Sequence, residues 1–196
     1  MNKAIFSKRL AAFILDVLLV SFCASLLAIP FTNTETINKL NKEAEAATEK
    51  YNKKEIGLKT YYVQTADLNY EITRAQGATS LISLLITILY FVVFQFYNKG
   101  QTIGKKLMKI KVVNNNGDKL SINNIVLRTL IINSIIFEML TLLFAFIGNK
   151  DVFLYASIII ESIQYVIVIA TIIMVSVRKD GRGIHDFLGN TRVVQE

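Results

Sequence analysis

The chain has 196 residues, 53% of them apolar, with a mean hydropathy of +0.43 and a formal charge of +7. The apolar residues lie in long blocks, which excludes an ordinary soluble globule, and beside such blocks the basic excess reads as a topology signal, not as nucleic-acid binding. The single Cys23 lies inside an apolar run, which excludes an intramolecular disulfide or a cysteine metal site, so it reads as small apolar filler.

The first block runs from about Leu10 to Phe31 and is long enough to cross roughly 30 Å of hydrocarbon. It carries Asp16, and no small-x-small cleavage site stands near Pro30, so it reads as a retained span, not a signal peptide. An acid inside a span needs a partner or water. Arg9, two helical turns earlier on nearly the same face, is one candidate partner for Asp16. Arg128, at the entrance of a later span, is another.

Residues 32–77 are expected to form a polar, charge-balanced, partly helical insertion on the extracytoplasmic side. Asn38–Lys54 predicts helix, with Ala44, Ala46 and Ala47 as strong formers and Glu and Lys at helical spacing. Gly57 ends it, and Tyr61, Tyr62 and Tyr70 are placed to act as aromatic anchors at a membrane interface.

A second span follows at about Ala78–Tyr97. The loop beyond it, with Gly100, Gln101, Thr102, Gly104 and Lys105, is not a P-loop, because the spacing is too short and no Ser or Thr follows the Lys. It predicts a short amphipathic helix capped by Gln101 and Thr102, with Lys105, Lys106 and Lys109 toward anionic headgroups. Lys109–Val113 then alternates charged and apolar residues, Asn115–Asp118 reads as a turn, and Lys119–Ile122 resumes, a β-hairpin signal. Thr191–Val194 in the C-terminal tail is a second β-type run able to pair with Lys109–Val113.

The third and fourth spans, about Ile125–Ile147 and Val152–Val177, are joined by a short turn and predict antiparallel neighbours. Each carries a mid-span acid, Glu138 and Glu161, at equal distance from the turn. Ser134 and Thr141 flank the first, Ser157 and Gln164 the second, at i−4 and i+3. Low dielectric favours the neutral form of such a carboxyl, and a second one nearby favours it further. The pair therefore reads either as a proton and cation site or as a shared-proton pin between helices or subunits.

If the N-terminus is inside, 14 of the 22 basic residues fall on the cytoplasmic side, against four acids there. That asymmetry places both termini in the cytoplasm of a multi-pass cell-membrane protein. The expected fold is all-α: four transmembrane helices with a small cytoplasmic β-hairpin cap, as one domain over 1–196.

Several stretches resemble the RDD family of bacterial polytopic membrane proteins. Arg9-Leu10-Ala11-Ala12-Phe13-Ile14-Leu15-Asp16 is similar to its first-span signature. Gly100-Gln101-Thr102-Ile103-Gly104-Lys105-Lys106-Leu107, followed by Lys111-Val112-Val113 and Gly117, is similar to the segment after its second span. Arg128 matches the basic residue opening the next span, and residues 183–194, with Asp186 in Gly183-Ile184-His185-Asp186, resemble the C-terminal signature. The resemblance implies that Arg9, Asp16 and Asp186 are the family's named residues. It implies membrane transport, with cation/proton antiport as its concrete form. Glu138 and Glu161 lie outside that signature.

His185 beside Asp186 lacks the Cys, second His or nucleophile that a catalytic or metal pair requires, so a structural role is expected, with Asp186 accepting from Arg9 or from the Gly100–Lys105 loop. No enzyme constellation and no cofactor motif appears, and no metal is assigned. Two readings stay open. One is cation/proton exchange at intramembrane carboxylates Asp16, Glu138 and Glu161, in a homo-oligomer passing a monovalent cation and a proton. The other is a non-transporting scaffold or accessory subunit of another membrane complex.

Overall fold

The computed structural model describes residues 2–196. Helix α1 spans Phe6–Ala28 and is extended to Phe31 by a 3-10 turn that Pro30 opens. Its buried face is Ala12, Asp16, Val20 and Ala24, one residue every four. Three of these are small or β-branched, which lets neighbouring helices approach closely. Helix α4 (Gly77–Ile88) opens the expected second span, a helical stretch to Tyr97 long and apolar enough to cross a membrane, and packs along α1. It continues through a π-helical turn, Leu89–Phe94, into the short α5 (Gln95–Tyr97).

Between these spans stands a helical hairpin, α2 (Thr34–Asn52) and α3 (Leu58–Ala75). Asn33 caps α2 by accepting from the Thr36 N–H, and Tyr51 stacks on Tyr61 across the turn at 4.7 Å between ring centres. The helix expected over 38–54 is present with earlier bounds. The second helix was not legible, because its aromatic residues read as isolated anchors. Tyr70 is no free anchor: it is buried against Phe153 and, with Ala145, seats the hairpin on the third and fourth spans.

The expected third span is a bent pair of helices. Helix α7 (Ile122–Ile132) and helix α8 (Ile135–Ile147) meet at 64°, with Ser134 between them in the left-handed region at φ 57°. A β-hairpin does not precede it. Ser121 accepts from the Asn124 N–H, and the Asn124 side chain accepts in return from the Ser121 N–H, a capping box that turns Lys119–Ile122 into a helix start. Helix α9 (Lys150–Val177) stands where the fourth span was expected and is long and apolar enough to cross a membrane; it packs along α8 and buries only Phe153, Ile160 and Val175.

At the opposite end of the bundle from the α8–α9 turn sits a cap. The amphipathic helix α6 (Ile103–Leu107) leads into β1 (Ile110–Asn114), and α10 (Ile184–Leu188) leads into β2 (Thr191–Gln195). The strands pair antiparallel, with Val112 opposite Val193. So the cap is a two-stranded sheet built from the loop and the C-terminal tail, not a hairpin. Its buried residues Ile110, Val112 and Val193 pack with Ala4 and Ala12.

A candidate polar site between the cap and the spans

Asp16 is fully buried in the middle of α1's packed face. It accepts from the Tyr90 hydroxyl at 2.6 Å, the Thr102 hydroxyl at 2.5 Å and the Gly104 N–H at 2.7 Å. The Lys105 ammonium lies 3.8 Å from its second oxygen. Three elements create this arrangement. The π-turn presents Tyr90, whose hydroxyl also accepts from the Ile103 N–H at 3.0 Å. Thr102 caps α6 by accepting from the Lys105 N–H, and of the first N–H groups of α6, which lack helical partners, that of Gly104 turns to the carboxylate. Gly104 permits the approach, since a Cβ there would meet the Asp16 carboxylate at 2.8–2.9 Å and run into the Ala12 carbonyl.

Asp16 therefore pairs with neither of its expected partners. Arg9 and Arg128 converge instead on Asp186, which is also fully buried. Arg9 donates to one Asp186 oxygen at 2.7 Å and to the Gly181 carbonyl, while Arg128 donates to the other Asp186 oxygen. Thr191 and the Gly183 N–H complete the shell at 3.2 and 3.1 Å. The reason is fold-level. The C-terminal tail passes between α1 and α7, and its acid lies nearer to both guanidinium groups than Asp16, which α6 has already claimed.

Burial opposes the Asp186 charge, but Arg128, His185 and Arg9 outweigh it and hold the carboxyl well below the usual range. His185 is driven the other way. Burial first, then Arg128, pulls its pKa down to about 4 against the pull of Asp186, so it is neutral at pH 7. Its Nε2 lies 3.3 Å from both Arg9 and Asp186, and its Nδ1 has no partner among the described residues.

Lys105 departs from expectation. It turns inward instead of facing headgroups, with a side chain only 13% exposed, whereas Lys106 and Lys109 are exposed. The attraction of Asp16 and the ring of Phe91, 5.8 Å from its nitrogen, account for this. Gln101, expected as a cap, instead donates to the Ile110 carbonyl at 3.1 Å and ties the loop to β1.

Glu138 and Glu161 are not joined. Neither has a hydrogen bond or ion pair among the described residues; Glu138 is half-buried and Glu161 is exposed. The seam between their helices is carried by their neighbours, since Gln164 donates to the Ser134 hydroxyl at 3.0 Å. Equal depth does not imply equal facing: Glu161 is turned out of the α8–α9 seam, and Gln164 takes its place there.

Sequence reasoning missed Tyr90 and Thr191 as members of the polar network. An aromatic in an apolar span and a Thr in a strand carry no pattern that marks them.

The model of the RDD family matches residues 3–190 of the chain. No curated protein and no solved structure matches it.

Proposed function

This chain belongs to the RDD family, and from that premise we propose that it is a membrane transport protein exchanging a monovalent cation for protons, working as an oligomer. Glu138 is the exchanging carboxylate in this reading. The observation that supports it is the contrast among the four buried or intramembrane acids. Asp16 and Asp186 are each already held by several donors and a neighbouring cation. Glu138 is free, in the first turn of α8, directly after a 64° break. A broken span exposes helix-end carbonyls that coordinate a cation. Glu161, exposed on the lipid-facing side of α9, faces a second copy in this reading, since an unpaired mid-span acid is costly in lipid.

The same reading puts both termini in the cytoplasm of the cell membrane, because the cap end carries the basic excess. Exposed Lys106 and Lys109 then meet anionic headgroups.

Reconstitution tests it. Vesicles holding the purified protein and a pH-sensitive dye are pulsed with Na⁺, K⁺ or Li⁺. Cation-driven proton flux is expected, lost in Glu138→Gln and reduced in Glu161→Gln. Absence of flux with all three cations, together with a stoichiometric co-purifying protein, would assign the chain to the accessory-subunit reading.

A further inference from the structure

Inside the cap-proximal polar site lies a cavity of about 50 Å³. It is lined by three cationic side chains, Arg9, Lys105 and Arg128, and by the neutral Gln95 and Asn133, with Phe13 and Phe91 among its apolar walls. The three cations are 10%, 13% and 4% exposed. Among the described residues only two carboxylates are paired with them, Asp16 and Asp186. Asp186 is shared between Arg9 and Arg128, so the charges there are two against one. With His185 neutral, no other group of the network carries negative charge, and the buried cluster holds one positive charge in excess.

An uncompensated charge in a low-dielectric interior is strongly unfavourable unless something pairs with it. A cavity able to hold a water needs only about 10–15 Å³ by this measure, so this one has room for a small ion as well. We propose that the cavity is a binding site for one monovalent inorganic anion of halide size, held between Arg9, Lys105 and Arg128. The anion neutralises the cluster and fastens α1, α6 and α7 to one another. The site is thus opposite in sign to the cation site read at Glu138, and it stands independently of that reading because its readout is binding, not flux.

Lys105 makes the site pH-sensitive. Burial pulls its ammonium down to about 8; Asp16 pulls it back up, and Arg128 and Arg9 push it down again. The charged or titratable groups around it are Asp16 and Arg9 from α1, Tyr90 from the π-turn, Arg128 from α7 and Asp186 from α10. A bound anion favours the protonated ammonium, so anion affinity falls as pH rises above about 8.

The test uses the full chain in detergent, at constant ionic strength, with bromide replacing gluconate. Thermal stability is expected to rise with bromide and saturate at pH 7, to respond at least several-fold less at pH 9, and to become bromide-independent in Lys105→Met. Lys105→Arg keeps the response and controls for loss of fold. Bromide-soaked crystals are expected to show an anomalous peak between Arg9 and Arg128. Identical bromide and gluconate curves, or a cavity holding only water in bromide, would overturn the proposal.

Discussion

The Thr102 hydroxyl donates to Asp16 at 2.5 Å, joining the loop after the second span to the centre of the first. This bond converts α6 from a helix lying on the surface into one whose N-terminus is docked on a buried carboxylate. With Tyr90 and Gly104 it leaves Asp16 fully satisfied.

Removing that carboxylate leaves three donors unpaired. Asp16→Ala is expected to lose about 3 kcal/mol of stability, the range for one partner of a buried charged pair. It should also free α6, so limited trypsin digestion of detergent-solubilised protein should cut at Lys105 or Lys106 in the variant first. Unchanged digestion would show that Asp16 does not hold the loop.

Gly104→Ala tests the same docking by sterics. The added Cβ would meet the Asp16 carboxylate at 2.8–2.9 Å, and part of the obstruction is backbone at Ala12, which cannot swing away. A loss of about 1–3 kcal/mol is expected from such overpacking. Thermal melts should rank the variant near Asp16→Ala, and wild-type stability would count against the close approach.

The two arginines on Asp186 are not equivalent. Arg128 is 4% exposed and Arg9 10%. Arg128→Ala is expected to cost about 3–5 kcal/mol and Arg9→Ala less, because water reaches the Arg9 side. Combining Arg128→Ala with Asp186→Ala should be strongly non-additive, with a coupling of about 1–3 kcal/mol. Additive losses in chemical denaturation would mean the pair is not a unit.

His185 sets a pH dependence. Its folded pKa of about 4 lies below the ordinary 6.5, so between those values the unfolded state binds more protons than the folded one. Stability is therefore full above pH 6.5 and is lost as pH falls toward 4, by about 3 kcal/mol over the window at roughly 1.4 kcal/mol per unit. Asp186, also depressed, adds loss in the same direction at still lower pH. His185→Asn should flatten melts recorded between pH 6.5 and 4.5; an equally steep wild-type and variant profile would remove His185 as the source.

The sheet register gives a covalent check. In a Cys23→Ala background, Val112→Cys with Val193→Cys should cross-link under mild oxidation, because directly opposed antiparallel residues lie within disulfide reach. The pair Val112→Cys with Thr191→Cys should not, since Thr191 stands opposite Asn114. Efficient bonding of the second pair would mean a slipped register.

Four apolar blocks, their approximate limits and the β-type tail were legible in the sequence because each is a property of consecutive residues. Length and hydropathy suffice for a span, and alternation suffices for a strand. Thr102 before a short helix and the turn at Asn115–Asp118 were readable for the same reason. The family signature marked Arg9, Asp16, Arg128 and Asp186, and the Arg9–Asp186 bond was one of the pairings expected, but nothing in the sequence placed Arg128 on the same carboxylate or left Asp16 to the loop. Depth matching placed α8 and α9 side by side, as the Gln164–Ser134 bond shows, but it carries no information on facing: Glu161 is exposed while Gln164, three residues on, takes the seam. Only the tertiary structure decided that α6 takes Asp16, that the tail brings Asp186 to both arginines, and that Lys105 turns inward. Those choices depend on which charge reaches which donor first across segments far apart in the chain, and distance in space is the one quantity that order along the sequence does not contain.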